Sequence, residues 1–506
     1  MREIRAGKNS EEWESPKPSF AGKDRAHGPE TRIQNLSLVA LDSRGQPVND
    51  LKPEEIGVSD SGKNRGIAFL RHIERRLEPG RALAPGEYSN RNGHNIPHAT
   101  VILLDLMNQS FSTRGVSANQ LIRSLEGVEQ ADYLYLYLLT IEGNLYTVRG
   151  LPGSEGAVKD DGPQWTKNIK PIMDAALRTV LRVRPVDMDV AVRTQLTYRA
   201  LETLGSWMSA TPGRKNVVWI TDGVPLTLGP IRSDTGDFVD FTPLLRHLSV
   251  ALDQAEIAIY PVPQIMIGSS DGPPDAPGVP RRGIAAGELS ADTLNEFADM
   301  TGGRPNNGKD IGAAITQAMN DARTSYQLGY YLPVEAGDGK FHKLRVTCTR
   351  IGVRIQAKTG YYAWPQDSEA EAMQSIRLAV SQPGDAAEIG IRAAIGPAPD
   401  GNEPRRLKVS IDARDLAFLN DSDGFTGHLS VAIAGYAADG ARLSAVQPMD
   451  LNYTAQDREK VLDQGIDYWL DLPAGNDISG VRFIVYDRIS RSIGAVTVPL
   501  KTPGPQ

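Results

Sequence analysis

The sequence predicts a central α/β domain with a doubly wound, mostly parallel sheet, flanked by β-rich modules. Helical patterns alternate with short apolar runs up to about residue 323, and this alternation favours a parallel sheet. From residue 324 onward, period-two alternation and turn residues replace the helical patterns, which predicts antiparallel β-structure. The apolar runs are nearly continuous, as expected for strands that helices cover on both faces. They are Val101–Leu104, Leu134–Leu139, Val217–Ile220 and Ile257–Tyr260.

The chain of 506 residues is long enough for about three domains. Composition shifts and clusters of proline and glycine set the predicted boundaries. In chain order we predict a mobile tail (1–30), an N-terminal β-module (31–75), a linker (76–98), the α/β domain (99–323), a β-meander extension (324–364), a linker with a short acidic helix (365–386) and a C-terminal β-sandwich (387–502). Alternatively, the N-terminal module and the β-meander pair into one β-domain beside the α/β core.

Composition excludes several classes of protein. The net charge is −7, from 55 basic and 62 acidic residues, which argues against a general nucleic-acid binder. The single cysteine, Cys348, excludes an intrachain disulfide framework and any paired-cysteine metal or redox site. No apolar run approaches the roughly 18–20 residues that a membrane-spanning helix needs. We therefore expect no nucleic-acid partner and no transmembrane segment, and self-association stays open.

Two aspartates follow apolar strands of the α/β region. Asp105 ends the run Val101-Ile-Leu-Leu-Asp105, and Asp222 follows Val217-Val-Trp-Ile-Thr. Ligands of doubly wound sheets gather at the carboxyl ends of the strands, so both carboxylates could face one crevice. Carboxylate and hydroxyl oxygens suit a hard divalent cation. The alternative is that each aspartate only caps the turn or helix that follows it.

The order of several motifs resembles a known family. The motifs are the LLD segment ending at Asp105, Pro212-Gly-Arg-Lys215 before the strand VVWITDG, Val39-Ala-Leu-Asp42-Ser-Arg-Gly45-Gln-Pro-Val48-Asn-Asp-Leu51, Tyr326-Gln-Leu-Gly-Tyr-Tyr331, and Gly360-Tyr-Tyr362. Together they resemble the von Willebrand factor type A domain, more narrowly the bacterial VWFA-related (acidobacterial-type) branch. The resemblance covers about residues 35–362. It implies a Rossmann-like domain that binds protein partners, often through a metal-ion-dependent adhesion site.

The adhesion site that the resemblance implies is degenerate in this sequence. The family pattern needs Asp-x-Ser-x-Ser after the first strand, a later threonine, and an aspartate after the fourth strand. Asp105 and Asp222 match, but Met107 and Gln109 replace the two serines. A thioether is a poor ligand for Mg²⁺, because hard cations select oxygen. The threonine is assigned to Thr194, with Thr197 as the alternative. We expect that no cofactor is required; Mg²⁺ or Mn²⁺ is the metal that a working site would hold.

Residues around these aspartates form a predicted partner-binding rim. Ser110 and Ser112 lie close to Asp105 in sequence but outside the family's register. The long Pro-, Gly- and Ser-rich loop 264–287 follows the Ile257 strand, so it should rise from the same edge of the sheet. The predicted rim residues are Asn108, Gln109, Ser110, Ser112, Arg281 and Arg282.

The function expected from these patterns is non-catalytic protein–protein interaction or adhesion. Gly268-Ser-Ser270-Asp-Gly272 fits G-x-S-x-G, but it runs into prolines where a nucleophile elbow must enter a helix. Two alternatives stay open: a metal-assisted hydrolase using Asp105 and Asp222, and a structural subunit of an envelope or extracellular assembly. Relatives in this bacterial branch are usually exported, so we expect a secreted or periplasmic protein whose leader is missing. If Met1 is the natural start, the expectation is a cytoplasmic protein.

Overall fold

The computed structural model describes most of the chain between residues 31 and 500. The described ranges are 31–74, 83–91, 99–129, 131, 133–151, 164–181, 188–209, 214–224, 227–228, 239–264, 293–306, 310–333, 338–363, 368–381, 384–396, 406–421, 424–437, 440–443, 446–471 and 478–500. The predicted tail 1–30, the G-x-S-x-G match and most of loop 264–287 lie outside these ranges.

The described residues form helices and strands in the following bounds. The helices are α1 Phe111–Glu126, α2 Ile169–Val180, α3 Val190–Met208, α4 Thr242–Gln254, α5 293–301, α6 Ile311–Arg323, α7 Ser368–Ser381 and α8 Ala455–Gln464. The strands before α6 are β1 Thr31–Leu41, β2 Ile56–Asp60, β3 Lys63–Arg65, β4 Ile67–Glu74, β5 Glu87–Ser89, β6 Ala99–Asp105, β7 Leu134–Leu139, β8 Leu145–Arg149, β9 Lys215–Thr221, β10 Thr227–Leu228, β11 Val239–Asp240 and β12 Ile257–Pro263. The later strands are β13 Thr324–Pro333, β14 Phe341–Cys348, β15 Arg354–Ala357, β16 Gly360–Tyr362, β17 Ile391–Gly396, β18 Arg406–Ile411, β19 Leu419–Asp421, β20 Gly424–Ala437, β21 Gly440–Leu443, β22 Gln447–Tyr453, β23 Ile466–Asp471, β24 Ile478–Asp487 and β25 Ile493–Pro499.

A five-stranded sheet forms the centre of the α/β region, in the order β12-β9-β6-β7-β8. The first four of these strands are parallel, and β8 pairs antiparallel to β7 at one edge. The four predicted apolar runs are β6, β7, β9 and β12. Side chains of α3, α4 and α5 pack on one face of this sheet, and those of α1, α2 and α6 on the other. The mixed α/β class that the sequence predicted is confirmed.

Strand β12 is an edge strand, and its sequence fits that position. Pro261 and Pro263 cannot donate backbone hydrogen bonds to a further strand, so they are tolerated at an edge. The turn after α5 covers this edge: Gly303 lies so close to it that a Cβ atom there would stand 1.8 Å from the Ile259 carbonyl oxygen. The Asn306 amide donates to the Pro261 carbonyl at 3.1 Å. Only glycine permits this approach.

The predicted N-terminal module and β-meander form one β-unit, which is the alternative that the sequence left open. One of its sheets has the order β15-β1-β13-β4, and the other has the order β16-β14-β2-β3. The two sheets face each other across a shared apolar core. Each sheet takes strands from before and from after the α/β region of the chain. Neither segment could therefore bury its apolar face alone.

The C-terminal region contains two facing sheets that share a core, as a β-sandwich does. One has the order β23-β18-β17-β5; the other is six-stranded and is built around β20 and β24. Strand β5 comes from the segment predicted as linker 76–98, so that prediction is wrong for Glu87–Ser89, which pair with β17. Helix α7 is longer than the predicted short helix of segment 365–386, and Ile376 packs it onto the six-stranded sheet.

Side-chain hydrogen bonds join the β-unit to the sandwich. The Asn35 amide donates to the Ile489 carbonyl at 3.0 Å, and Gln327 donates to the Ser490 carbonyl at 2.7 Å. Arg71 reaches Ser492 Oγ at 2.8 Å. All three bonds end on the β24–β25 turn, so this turn is fixed against the β-unit. Among the helices in the described ranges, none is long and apolar enough to cross a membrane.

Arg91 ties the segment after β5 to the sandwich. Its guanidinium contacts Asp415 Oδ2 at 2.8 Å and donates to the carbonyl oxygens of Ala387 and Glu388 at 2.9–3.1 Å. Burial raises the pKa of Asp415, and the Arg91 charge opposes this shift. A partner removed from such a pair leaves a poorly solvated charge behind.

We predict that Arg91→Ala lowers the free energy of unfolding of the sandwich by about 2 kcal/mol, because Asp415 loses its counter-charge and two carbonyls lose a donor. The measurement is the shift of the urea midpoint, followed by circular dichroism. Arg414→Ala is the matched control: Arg414 pairs with Asp412 at 2.7 Å but its side chain is 72% exposed, so a change below about 0.5 kcal/mol is expected. Equal effects of the two substitutions would contradict this account.

Candidate functional site

Asp105 is the centre of the candidate site, at the carboxyl end of the fully buried strand β6. Its side chain is 0% exposed and accepts five hydrogen bonds. The donors are the Met107 amide (3.1 Å) and the Asn108 amide (3.0 Å) to Oδ1, and Asn108 Nδ2 (2.8 Å), Trp219 Nε1 (3.2 Å) and Thr221 Oγ1 (2.7 Å) to Oδ2. A carboxylate has about four lone-pair directions, so these donors saturate it.

The local sequence explains this arrangement. The chain turns back after β6, and the amides two and three residues beyond Asp105 fold over its own carboxylate, as aspartate favours in turns. Burial raises the pKa of Asp105, and the hydrogen bonds from Asn108, Thr221 and Trp219 oppose this shift. Trp219 and Thr221 belong to the adjacent strand β9, so the carboxylate also fixes β6 to β9 at this edge.

Asn108 bridges two groups that the adhesion-site pattern assigns to a metal ion. Its side-chain nitrogen donates to Asp105 Oδ2 at 2.8 Å and to Thr197 Oγ1 at 2.7 Å. Thr197, on α3, was the alternative in the sequence analysis. The assigned Thr194 donates its hydroxyl to the Val190 carbonyl at 2.8 Å, within its own helix. Thr197 makes the same kind of bond, to the Arg193 carbonyl at 2.8 Å, so its contact with Asn108 is what distinguishes it. The structure thus brings Thr197, rather than the assigned Thr194, to Asp105 through Asn108.

The two residues at the family's serine positions are both buried. Met107 lies in the core on the α3 side of the sheet, among apolar side chains. Gln109 is 3% exposed, and neither polar atom of its amide has a hydrogen-bond partner among the described residues. A buried amide in that condition is unusual and favours a partner atom that a ligand or water would supply.

Ser110 and Asp222 connect helix α1 to the end of β9. The Ser110 side chain caps α1 by accepting from the Thr113 amide at 3.2 Å, whereas the alternative interpretation had assigned a capping role to the aspartates. The Ser110 amide donates to Asp222 Oδ2 at 3.3 Å. Asp222 therefore lies at the same edge as Asp105. Ser112 lies in the first turn of α1, but its side chain is outside the described part of the structure.

Two arginines that the sequence analysis did not single out complete the rim. Arg114 donates from Nε to the Leu106 carbonyl at 2.6 Å. Burial lowers the pKa of Arg114; Asp105 and Asp222 oppose this shift, and Arg193 adds to it. The charges of Asp105, Asp222 and Arg193 thus all act on Arg114. Arg193 is on α3, one turn before Thr197. Its place near Arg114 depends on how α3 is positioned against α1, which the sequence does not reveal. The predicted rim residues Arg281 and Arg282 lie outside the described residues.

Two exposed apolar side chains lie near these arginines in the sequence. Val116 on α1 is 44% exposed, two residues after Arg114, and Val192 on α3 is 45% exposed, one residue before Arg193. We name the surface formed by Asn108, Arg114, Val116, Val192 and Arg193 the α1–α3 rim. In the described ranges, no three His, Cys, Asp or Glu side chains are grouped to hold a metal ion. The rim combines positive charge, an amide and apolar groups.

Comparisons with known proteins add little to this geometry. No family model matches the chain, and no curated protein matches it. Among solved structures, the chain is similar to the human COPII-coat protein Sec24c, at 10% sequence identity and a TM-score of 0.25. The match covers 57% of this chain and 48% of that one, so it spans about half of the length of the solved protein. At this TM-score the likeness carries no argument about fold or function.

The Asn108 bridge yields a stability prediction. We expect Asn108→Asp to lower the free energy of unfolding by about 2–4 kcal/mol at pH 7, because a second carboxylate would face buried Asp105 at hydrogen-bond distance. Thermal unfolding measures the change. The control is Asn119→Asp, since Asn119 is exposed on α1 and bonds only the Gly115 carbonyl within its helix; its effect should stay within about 0.5 kcal/mol. A stable Asn108→Asp protein would contradict the bridge.

Proposed function

We propose that this chain is a non-catalytic binding protein with a von Willebrand A-like domain, which binds a protein partner at the α1–α3 rim without a metal ion. The observation that carries the proposal is the Asn108 amide between Asp105 and Thr197. It supplies hydrogen-bond donors where the adhesion-site pattern has a cation. The order of the central sheet, with helices on both faces, supports the von Willebrand A-like assignment.

A bound divalent cation does not fit the residues present. Mg²⁺ needs near-octahedral oxygen ligands, and the oxygens of Asp105 already accept five donors. Met107 offers a sulfur atom rather than an oxygen, and it is buried in the core between the sheet and helices α3, α4 and α5. A cation would have to displace the Asn108 amide and break its bond to Thr197. The site therefore favours recognition by protein groups alone.

The chemistry of the rim indicates the kind of partner surface that it would bind. Arg114 and Arg193 remain charged at any physiological pH and can donate to a partner carboxylate. Gln109 offers a buried donor and acceptor that lack partners in the described residues. Val116 and Val192 add apolar contact on either side. An acidic segment with neighbouring apolar side chains fits this combination, as at many polar-rimmed interfaces.

The hydrolase alternative has less support. It would use Asp105 and Asp222 to hold a metal or to act on water, and the five hydrogen bonds to Asp105 leave its oxygens little capacity for either task. The assembly-subunit alternative would be favoured by a large contiguous apolar surface. Exposed apolar side chains in the described ranges are spread over separate elements, for example Ile172 on α2, Leu244 on α4 and Leu378 on α7.

Metal independence is directly measurable. We expect the melting temperature of the full chain to be the same, within about 1 °C, in millimolar Mg²⁺, Mn²⁺ or EDTA, because a ligand that does not bind the native state cannot stabilise it. Calorimetry should detect no heat of Mg²⁺ binding. Micromolar binding that disappears in Asp105→Asn would overturn the metal-free proposal.

Asn108→Asp sharpens this measurement. If the amide occupies the place of a cation, Mg²⁺ or Mn²⁺ should restore part of the stability that this variant loses, whereas Asn119→Asp should not respond. Restoration would support the substitution of amide for metal. If the variant is destabilised and neither metal raises its stability, the idea that the amide takes the place of a metal ion is wrong. The proposal that the wild type needs no metal ion would still hold if the wild type responds to neither metal.

Partner binding at the rim needs its own test. We expect that partners cross-linked to the full chain in an extract of the source cells are retained in EDTA and lost when Arg193→Glu is combined with Val192→Asp. The matched control is Arg199→Glu, an exposed arginine further along α3. Mass spectrometry of the cross-linked peptides should place the contacts on α1 and α3. Cross-links that persist in the rim variant, or that require Mg²⁺, would contradict the proposal.

A further inference from the structure

Trp469 is an exposed aromatic residue on the outer face of the sandwich. Its side chain is 51% exposed, the highest value among the tryptophans that the structure describes. It belongs to β23, where Ile466 and Leu470 face the core and Asp467 and Trp469 face outward. A single exposed apolar side chain is common on protein surfaces, so the surroundings of the ring decide whether it suits a ligand.

The indole ring is held in a fixed position over the sheet. Trp469 pairs in register with Lys408 on β18, and the Lys408 ammonium lies 5.6 Å from the ring centroid. Lys408 in turn is paired with Asp467 at 2.9 Å. The ring reaches across β18 to β17, where a Cβ at Gly396 would stand 3.8 Å from Cζ3. The cation–π contact and the strand register favour this position of the ring, which lowers part of the cost of ordering it on binding.

The surroundings of the ring are flat and polar. The residues that lie on the same face of the sheet as Trp469 are small, charged or hydroxyl-bearing. They are Glu87 on β5, Arg392 and Ala394 on β17, Arg406 and Ser410 on β18, and Asp467 on β23. This face therefore offers one aromatic surface, with hydrogen-bond donors and acceptors on its flanks. It has no second large apolar side chain that would form a pocket for a peptide anchor among the residues described.

We infer that this face, the Trp469 platform, binds a neutral carbohydrate chain. The apolar C–H face of a pyranose stacks on an indole, while its hydroxyls donate to carboxylates and accept from guanidinium and ammonium groups. A polyanion fits less well, because Glu87 and Asp467 stand among the three basic residues of the face and the chain carries a net charge of −7. The platform belongs to a different sheet from the α1–α3 rim, so this inference does not rest on the proposed rim function.

Calorimetry with neutral oligosaccharides tests the inference on the full chain. The probes are cellohexaose, maltohexaose, chitohexaose, mannohexaose and xylohexaose. We expect at least one to bind, with about tenfold weaker affinity in Trp469→Ala and near-normal affinity in Trp469→Tyr, which keeps a stacking surface. Arg392→Ala should weaken binding less, because it removes a hydrogen bond and leaves the platform.

Controls separate binding from folding. Leu378→Ala removes another exposed apolar side chain, on α7, and should leave sugar affinity unchanged. The Trp469→Ala variant should have the wild-type melting temperature, because the ring that it lacks is exposed in the folded protein. Absence of binding to all five sugars, or binding that persists in Trp469→Ala, would overturn the inference. Binding of a twelve-residue oligothymidine that Trp469→Ala abolishes, without binding of any sugar, would replace it with a single-strand nucleic-acid site.

Discussion

The buried carboxylate of Asp105 organises one edge of the central sheet. It joins the end of β6, the turn that precedes α1, and two residues of β9 through five hydrogen bonds. Through Asn108 it also reaches Thr197 on α3. A buried charge of this kind is tolerable only when donors replace the water that it has lost. Apolar packing places α1 and α3 on the sheet, and the hydrogen bonds of this carboxylate tie the turn before α1 and, through Asn108, α3 to its edge.

The path of the chain explains why the units around this sheet are fixed to one another. The chain contributes β1–β4 to the β-unit and β5 to the sandwich before it enters the α/β region, and it returns to both afterwards. Each outer unit is therefore closed only when the two ends of the chain meet. Side-chain hydrogen bonds from Asn35, Arg71 and Gln327 to the β24–β25 turn then join the two outer units. Contacts of this kind oppose independent motion of the units more strongly than a flexible linker would.

Sequence reasoning located the central strands and both aspartates because buried parallel strands have a strong apolar signature, and their carboxyl ends must share an edge. It could not choose between Thr194 and Thr197, since the two lie on one helix and the choice depends on how α3 is rotated against the sheet. The role of Asn108 carries no sequence signal, because the family pattern has no position for an amide that replaces an ion. Helix α8 was also missed, since Val461 is the residue that it buries. Strand β22 was missed although Met449, Leu451 and Tyr453 alternate as strand residues do.

The linker prediction failed at β5 for a related reason. The segment is rich in proline and glycine, which is typical of a connection, yet three of its residues find an open edge on β17. Strand pairing depends on which edge is available, and that edge is built from residues about 300 positions later in the chain. The exposure of Trp469 has the same origin: alternation predicts a strand at Ile466–Leu472, but only its pairing with β18 decides which face is covered.

The α1–α3 rim and the Trp469 platform differ in the physics of recognition. The rim offers permanent charges beside a buried amide, so its binding should be directional and sensitive to salt. The platform offers one stacking surface with balanced flanking charges, so its affinity for a single sugar chain should be weak and nearly independent of salt. Weak sites gain strength when a target presents its ligand repeatedly. Under the two proposals, one chain would contact a protein partner through the α1–α3 rim and a polysaccharide through the Trp469 platform, and each contact would be made without a metal ion.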